Sequence, residues 1–182
     1  MRVITGKYKG RTLVAPKTAT RPTLDRTKET LFNIINGKIP ESFVVDLFAG
    51  SGQLAIECLS RGARRAVLCD SAKDAVCAIK TNFQKIGETP ELYFCHYKQC
   101  LERLKNVNAD IVFVDPPYKE GLYGDVMHLL HLFNVVGKEG IVVCEHSAND
   151  VLPLQTEGFR QCDCRKIGSV KFTFYKRRES CE

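Results

Sequence analysis

Short apolar blocks separated by helical patterns run through most of the chain. The first block, Phe43 to Phe48, is interrupted only by Asp46, as expected of a central parallel strand covered on both faces. Four more blocks predict strands: 66–70, 92–95, 110–114 and 140–145. Helical periodicity between them predicts four helices: 52–61, 72–86, about 99–104 and 122–133. This alternation predicts an α/β protein with a doubly wound, mostly parallel sheet.

The N-terminal residues follow a different pattern. Residues 2–14 predict a hairpin in which Val3–Ile4 pair with Leu13–Val14 across a glycine-bounded turn. After a connector with two prolines, an apolar stripe predicts a helix from about Asp25 to Asn36. We therefore expect residues 1–38 to form an appendage of a hairpin and a helix.

The C-terminal end of the chain also leaves the alternation. Residues 158–176 predict two antiparallel strands that meet around Lys166–Ser169. A chain of 182 residues is most simply one domain. We expect a single domain, 1–182, whose core spans 43–178.

The turn after the first strand is rich in glycine, as in nucleotide-cofactor loops. Gly50–Ala55 fits the loose dinucleotide fingerprint G-x-G-x-x-G/A. Asp46 argues against that ligand, because a carboxylate beside the turn would repel a pyrophosphate. It suits the amine-bearing end of S-adenosylmethionine, and Asp70, which ends the next strand, suits the ribose hydroxyls. The alternative is an ordinary turn in which both acids are caps.

The fourth strand runs directly into Asp115-Pro116-Pro117-Tyr118. Two consecutive prolines cannot continue a sheet and have no N–H to donate, so they predict a rigid loop with free carbonyl acceptors. Such a loop suits a planar ring that carries an exocyclic amine. The ring would stack on Tyr118, and the amine hydrogens would bond to the Asp115 carboxylate and the Pro116 carbonyl. A plain turn between a strand and a helix is the alternative.

These acceptors match what methyl transfer to an aromatic amine needs. The amine lone pair is delocalised into its ring, and acceptors that pull the hydrogens out of the ring plane localise it toward the methyl donor. They also stabilise the positive charge that develops on transfer. Methylation at carbon five of a pyrimidine requires a cysteine nucleophile instead, and position 118 is tyrosine.

The positive charge is concentrated near the N-terminus. Residues 1–38 hold nine basic and two acidic side chains, a surplus of +7, while the whole chain has a net charge of +6. The remainder is therefore close to neutral, at −1. A segregated basic segment indicates a polyanionic partner, nucleic acid first, although a solvated basic face would look the same.

Several classes of protein are disfavoured. The four histidines lack the spacing of metal ligands, and the nine cysteines include no C-x-x-C pair, so we expect no metal. There is no G-x-S-x-G motif of a serine hydrolase. No apolar run approaches membrane-spanning length, and the N-terminus lacks the apolar core of a signal peptide. We expect a cytoplasmic protein without a membrane partner.

Five stretches resemble the RsmD family, the bacterial methyltransferases of the N2 amine of a guanine in 16S ribosomal RNA. They are Met1–Arg11, Arg21–Asn33, Asp46–Gly52, Ser60–Ala63 and Asp115–Tyr118. The last motif is shared with many amino-methyltransferases, including DNA adenine enzymes, and the two N-terminal stretches are the specific part. The resemblance covers nearly the whole chain.

The resemblance implies a seven-stranded, Rossmann-like class I methyltransferase fold with S-adenosylmethionine as the donor. The substrate it implies is 16S ribosomal RNA, either alone or in a small-subunit ribosomal particle. It also implies that the segment from Thr23 to Arg26 closes over the methionine end of the cofactor. The region Cys95–Cys100 departs from the acid or amide usual after strand three, which leaves Gln99 or a backbone group to hold the adenine amine.

Together, motifs and resemblance predict three sets of residues. The catalytic loop is expected to comprise Asp115, Pro116, Pro117 and Tyr118. The cofactor is expected to contact Thr23, Arg26, Asp46, Phe48, Ala49, Gly50, Ser51, Gly52, Asp70, Ser71 and Gln99. RNA is expected to contact Arg2, Lys7, Lys9, Arg11 and Arg21. Two alternatives stay open: an adenine-N6 methyltransferase acting on DNA or RNA, and a non-catalytic RNA-binding or ribosome assembly factor.

Overall fold

The computed structural model describes residues 1–17, 25–117 and 121–178. The strands are β1 (Phe43–Asp46), β2 (Arg65–Asp70), β3 (Glu91–Phe94), β4 (Ala109–Val114), β5 (Val136–Ser147), β6 (Gln155–Thr156), β7 (Phe159–Ile167) and β8 (Val170–Arg177). The helices are α1 (Asp25–Ile35), α2 (Gln53–Ser60), α3 (Lys73–Ile86), α4 (Tyr97–Arg103) and α5 (Tyr123–Leu132). A single 3-10 turn, Asn36–Lys38, extends α1.

All eight strands of the described residues form one sheet, in the order β3-β2-β1-β4-β5-β8-β7-β6. The first five strands are parallel, and β8 is inserted antiparallel between β5 and β7. The predicted doubly wound, mostly parallel sheet is confirmed. The strand beyond the expected seven is β6, whose two residues are too few for any periodicity to reveal.

The core has two layers, one on each face of the sheet. Side chains of the N-terminal segment and of α1, α2 and α3 pack on one face, and those of α4 and α5 pack on the other. Successive residues of β1 serve both layers, since Val44 belongs to the first cluster while Phe43 and Val45 belong to the second. This double coverage is the reason that the strand reads as a continuous apolar block.

The N-terminal hairpin exists in a shorter form than predicted. Its two segments meet in one isolated antiparallel bridge, Arg2 to Thr12. The predicted pairing of Val3–Ile4 with Leu13–Val14 is wrong. Ile4 does not join a ladder, because its backbone N–H donates instead to the carboxylate of Glu57, at 2.9 Å.

Glu57 holds the N-terminal segment on α2. Its carboxylate, which is fully buried, also accepts the backbone N–H of Thr5 at 3.1 Å and the Nε–H of Arg61 at 3.0 Å. Lys28 of α1, also fully buried, lies 3.6 Å from it and donates to the carbonyl oxygen of Arg2. Burial lowers the pKa of Lys28, and the neighbouring Glu57 opposes that shift. One of the nine basic residues counted for the N-terminal segment is therefore internal.

Among the described residues, no helix is both long and apolar enough to span a membrane.

Candidate active site

Three aspartates lie along the carboxyl edge of the parallel strands. Asp46 and Asp70 are the last residues of β1 and β2, and Asp115 directly follows β4. The connections run outward in opposite directions from β1, since β2 lies on one side of it and β4 on the other. Such a switch point leaves a crevice beyond the strand ends, where open α/β sheets bind their ligands.

The glycine turn between β1 and α2 needs both glycines. Gly50 and Gly52 have φ angles of 56° and 75°, in the left-handed region. A Cβ atom on Gly52 would lie 3.1 Å from a Leu68 methyl group, whereas one on Gly50 would meet nothing within 4 Å. Gly52 is thus favoured by its conformation and is closely packed, whereas the space beside Gly50 is open to a ligand.

Asp70 fixes the shape of this turn. One carboxylate oxygen accepts the backbone N–H of Gly50 at 2.8 Å, and the other accepts that of Ala72 at 2.9 Å. Each carboxylate oxygen has two lone pairs, so both can accept a further bond from a ligand hydroxyl. Asp70 therefore joins the ends of β1 and β2 and still presents acceptors to the crevice.

Asp46 is a buried carboxyl group with an unused acceptor. The residue is only 2% exposed, and no group of the described residues hydrogen-bonds its Oδ2. Burial and then the charge of Asp70 raise its pKa to about 7, while the backbone N–H groups of Phe48 and Ala55 favour the charged form. A cation placed beside Oδ2 would supply the missing partner and stabilise the carboxylate.

Asp115 belongs to the same electrostatic cluster. Burial raises the pKa of Asp115 well above its ordinary value, and the charges of Glu145 and then Asp46 add to this effect. Glu145 is buried on β5, and Tyr123 donates its hydroxyl to the Glu145 backbone carbonyl oxygen at 2.5 Å. Three carboxyl groups thus lie close enough to influence one another, which favours a ligand that is cationic or rich in hydrogen-bond donors.

The rest of the predicted catalytic loop is partly described. Pro116 is buried and Pro117 is exposed, which presents the loop at the surface of the crevice. Tyr118 lies outside the described residues. Among the residues that the structure describes, no group of three or more His, Cys, Asp or Glu side chains is arranged to hold a metal.

The structure brings most predicted cofactor residues to this edge. Ala49 donates its backbone N–H to the carbonyl oxygen of Cys69 at 3.0 Å, and the Phe48 ring packs on that of Tyr97, with centroids 5.4 Å apart. The remaining ones are placed as follows: Ser51 is buried in the turn, Ser71 is exposed after β2, Gln99 is exposed in the first turn of α4, Arg26 is exposed on α1, and Thr23 lies outside the described residues.

Comparison with known proteins identifies the family. The family described as "Conserved hypothetical protein 95" matches residues 1–176. The chain is 34% identical over 185 residues to YlbH of Bacillus subtilis, covering 98% of this chain and 100% of that one. It is 30% identical over 178 residues to "Ribosomal RNA small subunit methyltransferase D" of Escherichia coli, covering 97% and 90%. The solved structure of yhhF from Escherichia coli superposes with a TM-score of 0.84 at 29% identity, covering 98% of each chain.

The chain belongs to the RsmD family. It is a methyltransferase, with the Rossmann-like fold expected of that class. The predicted family membership and enzyme class are both confirmed.

The residues predicted to bind RNA stay predictions for this RsmD family member, but their surroundings differ from one another. Arg2 lies 3.4 Å from Asp25, and Lys7 lies 3.0 Å from Glu88, so both are ion-paired. Lys9 and Arg11 are exposed, and Arg21 lies outside the described residues.

The hairpin turn lies far from the glycine loop. The backbone N–H of Lys7 donates to the carbonyl oxygen of Ser60, the last residue of α2. Because the glycine loop begins that helix and eight helical residues span about 12 Å, the two lie at opposite ends of α2. The structure does not bring Lys7 together with Asp115.

Two polar residues of the crevice were not predicted. Gln53 opens α2, and its buried Oε1 atom has no hydrogen-bond partner among the described residues. Glu145 lies on the neighbouring strand, and its charge helps to raise the pKa of Asp115. The available sequence signal was that Glu145 ends the apolar run 140–144, because a carboxylate in a buried strand usually has a structural or functional role.

Proposed function

We propose that this chain transfers a methyl group from S-adenosylmethionine to the N2 amine of a guanine in 16S ribosomal RNA. The observation that carries the proposal is the unpartnered Asp46 Oδ2 in the same carboxyl cluster as Asp115, on neighbouring strands. Asp46 favours a bound cation, and Asp115 favours an amine that donates hydrogen bonds. The name of the Escherichia coli relative supports the ribosomal substrate.

The residues of the crevice fit S-adenosylmethionine. The open space beside Gly50 admits the cofactor backbone, Asp46 suits its cationic amino-acid end, and the free lone pairs of Asp70 suit the ribose hydroxyls. When bound, the cofactor supplies an activated methyl group on a sulfonium. A cation at this cluster lowers the cost of ionising the nearby carboxyl groups, which counters the raised pKa values of Asp46 and Asp115.

The Asp115 loop then prepares the acceptor amine. The Asp115 carboxylate and the Pro116 carbonyl oxygen accept the two amine hydrogens and turn them out of the ring plane. The nitrogen lone pair is thereby directed toward the cofactor side of the crevice, and the charge that develops on nitrogen is stabilised by fixed acceptors. Holding the two reactants in line contributes much of the remaining rate enhancement.

The target base must leave its stack to reach the loop. Pro116 is buried just after the end of β4, and an enzyme cannot reach the amine of a stacked, paired base with such a site, so the base must be extruded or already unpaired. An unpaired guanine in a folded ribosomal RNA or in a small-subunit particle meets this requirement.

Nucleoside analysis tests the proposal directly. Labelled S-adenosylmethionine and the enzyme are incubated with 16S ribosomal RNA, and separately with small ribosomal subunits, from a strain lacking this activity. Label recovered in N2-methylguanosine is the expected result. Label in N6-methyladenosine would replace guanine by adenine as the target. Absence of transfer together with absence of cofactor binding by calorimetry would favour a non-catalytic RNA-binding factor.

A further inference from the structure

The hairpin of β7 and β8 carries two pairs of like charges in direct cross-strand register. Lys166 is paired with Lys171, and Arg160 with Lys176. Like charges directly opposite each other in a sheet destabilise it. The repulsion is not relieved within the described residues, since none of their carboxylates forms an ion pair with any of these four side chains.

The neighbouring charges do not neutralise the first pair. Arg165 is already ion-paired with Asp163, at 2.9 Å. Lys171 donates to the backbone carbonyl oxygen of Asp150 at 3.1 Å, so its Nζ is oriented but keeps its charge. Lys166 is exposed. The tip of the hairpin therefore presents two positive charges that no carboxylate of the described residues balances.

The Lys166–Lys171 pair lies at the catalytic edge of the sheet. On β5, Cys144 is in register with Val114, the residue before Asp115. Two positions further along β5, His146 is in register with Lys171. With a spacing of about 4.8 Å between strands, β8 lies roughly 10 Å and β7 roughly 14 Å from β4. The two lysines extend sideways from the catalytic loop along the same edge.

They also lie on the appropriate face. Along β8, Lys171 alternates with core residues so that it shares a face with Tyr175, which packs in the cluster of α4 and α5. The chain that leaves Asp115 leads into α5, on that same face. A nucleic acid strand whose base enters the Asp115 loop from this side would pass its backbone over the hairpin tip.

We propose that the β7–β8 hairpin tip is an RNA-docking surface, on which Lys166 and Lys171 contact phosphates flanking the target guanine. This inference rests on the proposed function for the identity of the nucleic acid. The principal phosphate contacts would then lie on the β7–β8 hairpin, which is on the opposite side of β4 from the glycine turn. The N-terminal hairpin would not be the only RNA contact.

The second like-charge pair provides a matched control. Arg160 and Lys176 occupy the same two strands and also face each other in register. Lys176 pairs with Ile141 near the start of β5, so it lies five residues, or about 17 Å, from Lys171 toward the opposite edge. Removing either pair changes the net charge by the same amount.

The test compares Lys166→Ala with Lys171→Ala, as a double variant, against the double variant Arg160→Ala with Lys176→Ala. RNA affinity is measured with 16S ribosomal RNA over a range of salt concentrations, and transfer is measured with the same RNA. Removing the tip pair should weaken RNA binding about tenfold and reduce the log–log salt slope by about 0.7–0.9 for each phosphate that the variant no longer neutralises. S-adenosylmethionine affinity should stay at the wild-type value, and Lys→Arg replacements at both positions should restore binding.

The control pair should leave RNA binding much closer to wild type. Equal weakening in the two double variants would mean that only net charge matters and would overturn the docking surface, as would an unchanged salt slope in the tip variant. If the wild-type protein binds 16S RNA through the tip but transfers no methyl group to it, the proposed function fails while the docking surface stands. If transfer occurs and the tip variant binds normally, only the docking surface fails.

Discussion

The side-chain amide of Asn82 donates a hydrogen bond to the carbonyl oxygen of Ser51, at 2.8 Å. The same amide group donates to the carbonyl oxygen of Val14 at 2.9 Å and accepts the Val14 backbone N–H at 2.8 Å. Asn82 is fully buried on α3. One side chain therefore fastens the N-terminal segment to the glycine turn, so the two should loosen together.

Replacing Asn82 by Ala should test that coupling. The change removes three hydrogen bonds and leaves the buried carbonyl oxygen of Ser51 and the part-buried backbone groups of Val14 without these partners, so the free energy of unfolding should fall by about 2–4 kcal/mol. Urea unfolding measures it, with Asn33→Ala on the exposed face of α1 as the control. S-adenosylmethionine affinity should fall as well. An unchanged unfolding midpoint would mean that the segment is held by other interactions.

Asp70 should have separable roles in the turn and in the cofactor site. Asp70→Ala removes the acceptor of the Gly50 N–H and the charged acceptor for the ribose, so S-adenosylmethionine affinity should fall by about 1.5–3 kcal/mol, or roughly ten- to hundredfold. Asp70→Asn keeps one oxygen for Gly50 and should lose less. Calorimetry distinguishes the variants. If both bind the cofactor as wild type does, Asp70 only caps the turn.

The raised pKa of Asp46 predicts how cofactor binding depends on pH. A cation prefers the carboxylate, so below about pH 7 binding must first displace a proton and affinity should fall as the pH falls. Asp46→Asn should bind more weakly at pH 8 and lose this part of the pH dependence. Calorimetry at several pH values between about 6 and 8 makes the comparison. Parallel pH profiles for the two proteins would place the titrating group elsewhere, with Asp115 the first alternative.

The same shift has an opposite consequence for the ligand-free fold. The folded-state pKa of Asp46 lies above the ordinary value of 3.8, so the folded state binds this proton more tightly than the unfolded chain does. The resulting stabilisation is fully present below pH 3.8 and is lost as the pH rises through about 7. Asp46→Asn should therefore be the more stable protein above about pH 7. Urea unfolding without cofactor measures the difference.

Local sequence signals predicted the parts of the fold that depend on neighbours along the chain. The strand that begins at Phe43, the turn of Gly50 and Gly52, and the break at Pro116 each follow from a few adjacent residues, and the structure has them in place, although β1 ends at Asp46 and not at Phe48. The predicted pairing of Val3–Ile4 is wrong because Val3 bonds to Arg11 instead, and Glu57, more than fifty residues away, accepts the backbone N–H of Ile4. No pattern within the hairpin contains that information.

The charge count of the N-terminal segment includes one lysine whose position in α1 indicates burial. Lys28 is one of the nine basic residues in that charge count, yet it lies three and four residues before Leu31 and Phe32, on the apolar stripe of α1. A residue at this position of the stripe is buried in the folded helix, and its buried partner Glu57 compensates the charge. In the same way, Asn82 and Ser51 are 31 residues apart, and only the folded sheet brings them together.

Asp115→Asn tests most directly whether the Asp115 loop holds the acceptor amine while the cofactor binds independently beside it. Cofactor affinity and the rate of label transfer to 16S ribosomal RNA are measured on the same preparation. The amide keeps the size of the side chain but replaces an acceptor oxygen with a donor, so we expect near wild-type cofactor affinity with turnover reduced about a hundredfold or more. Wild-type turnover into N2-methylguanosine in this variant would contradict the catalytic role of Asp115.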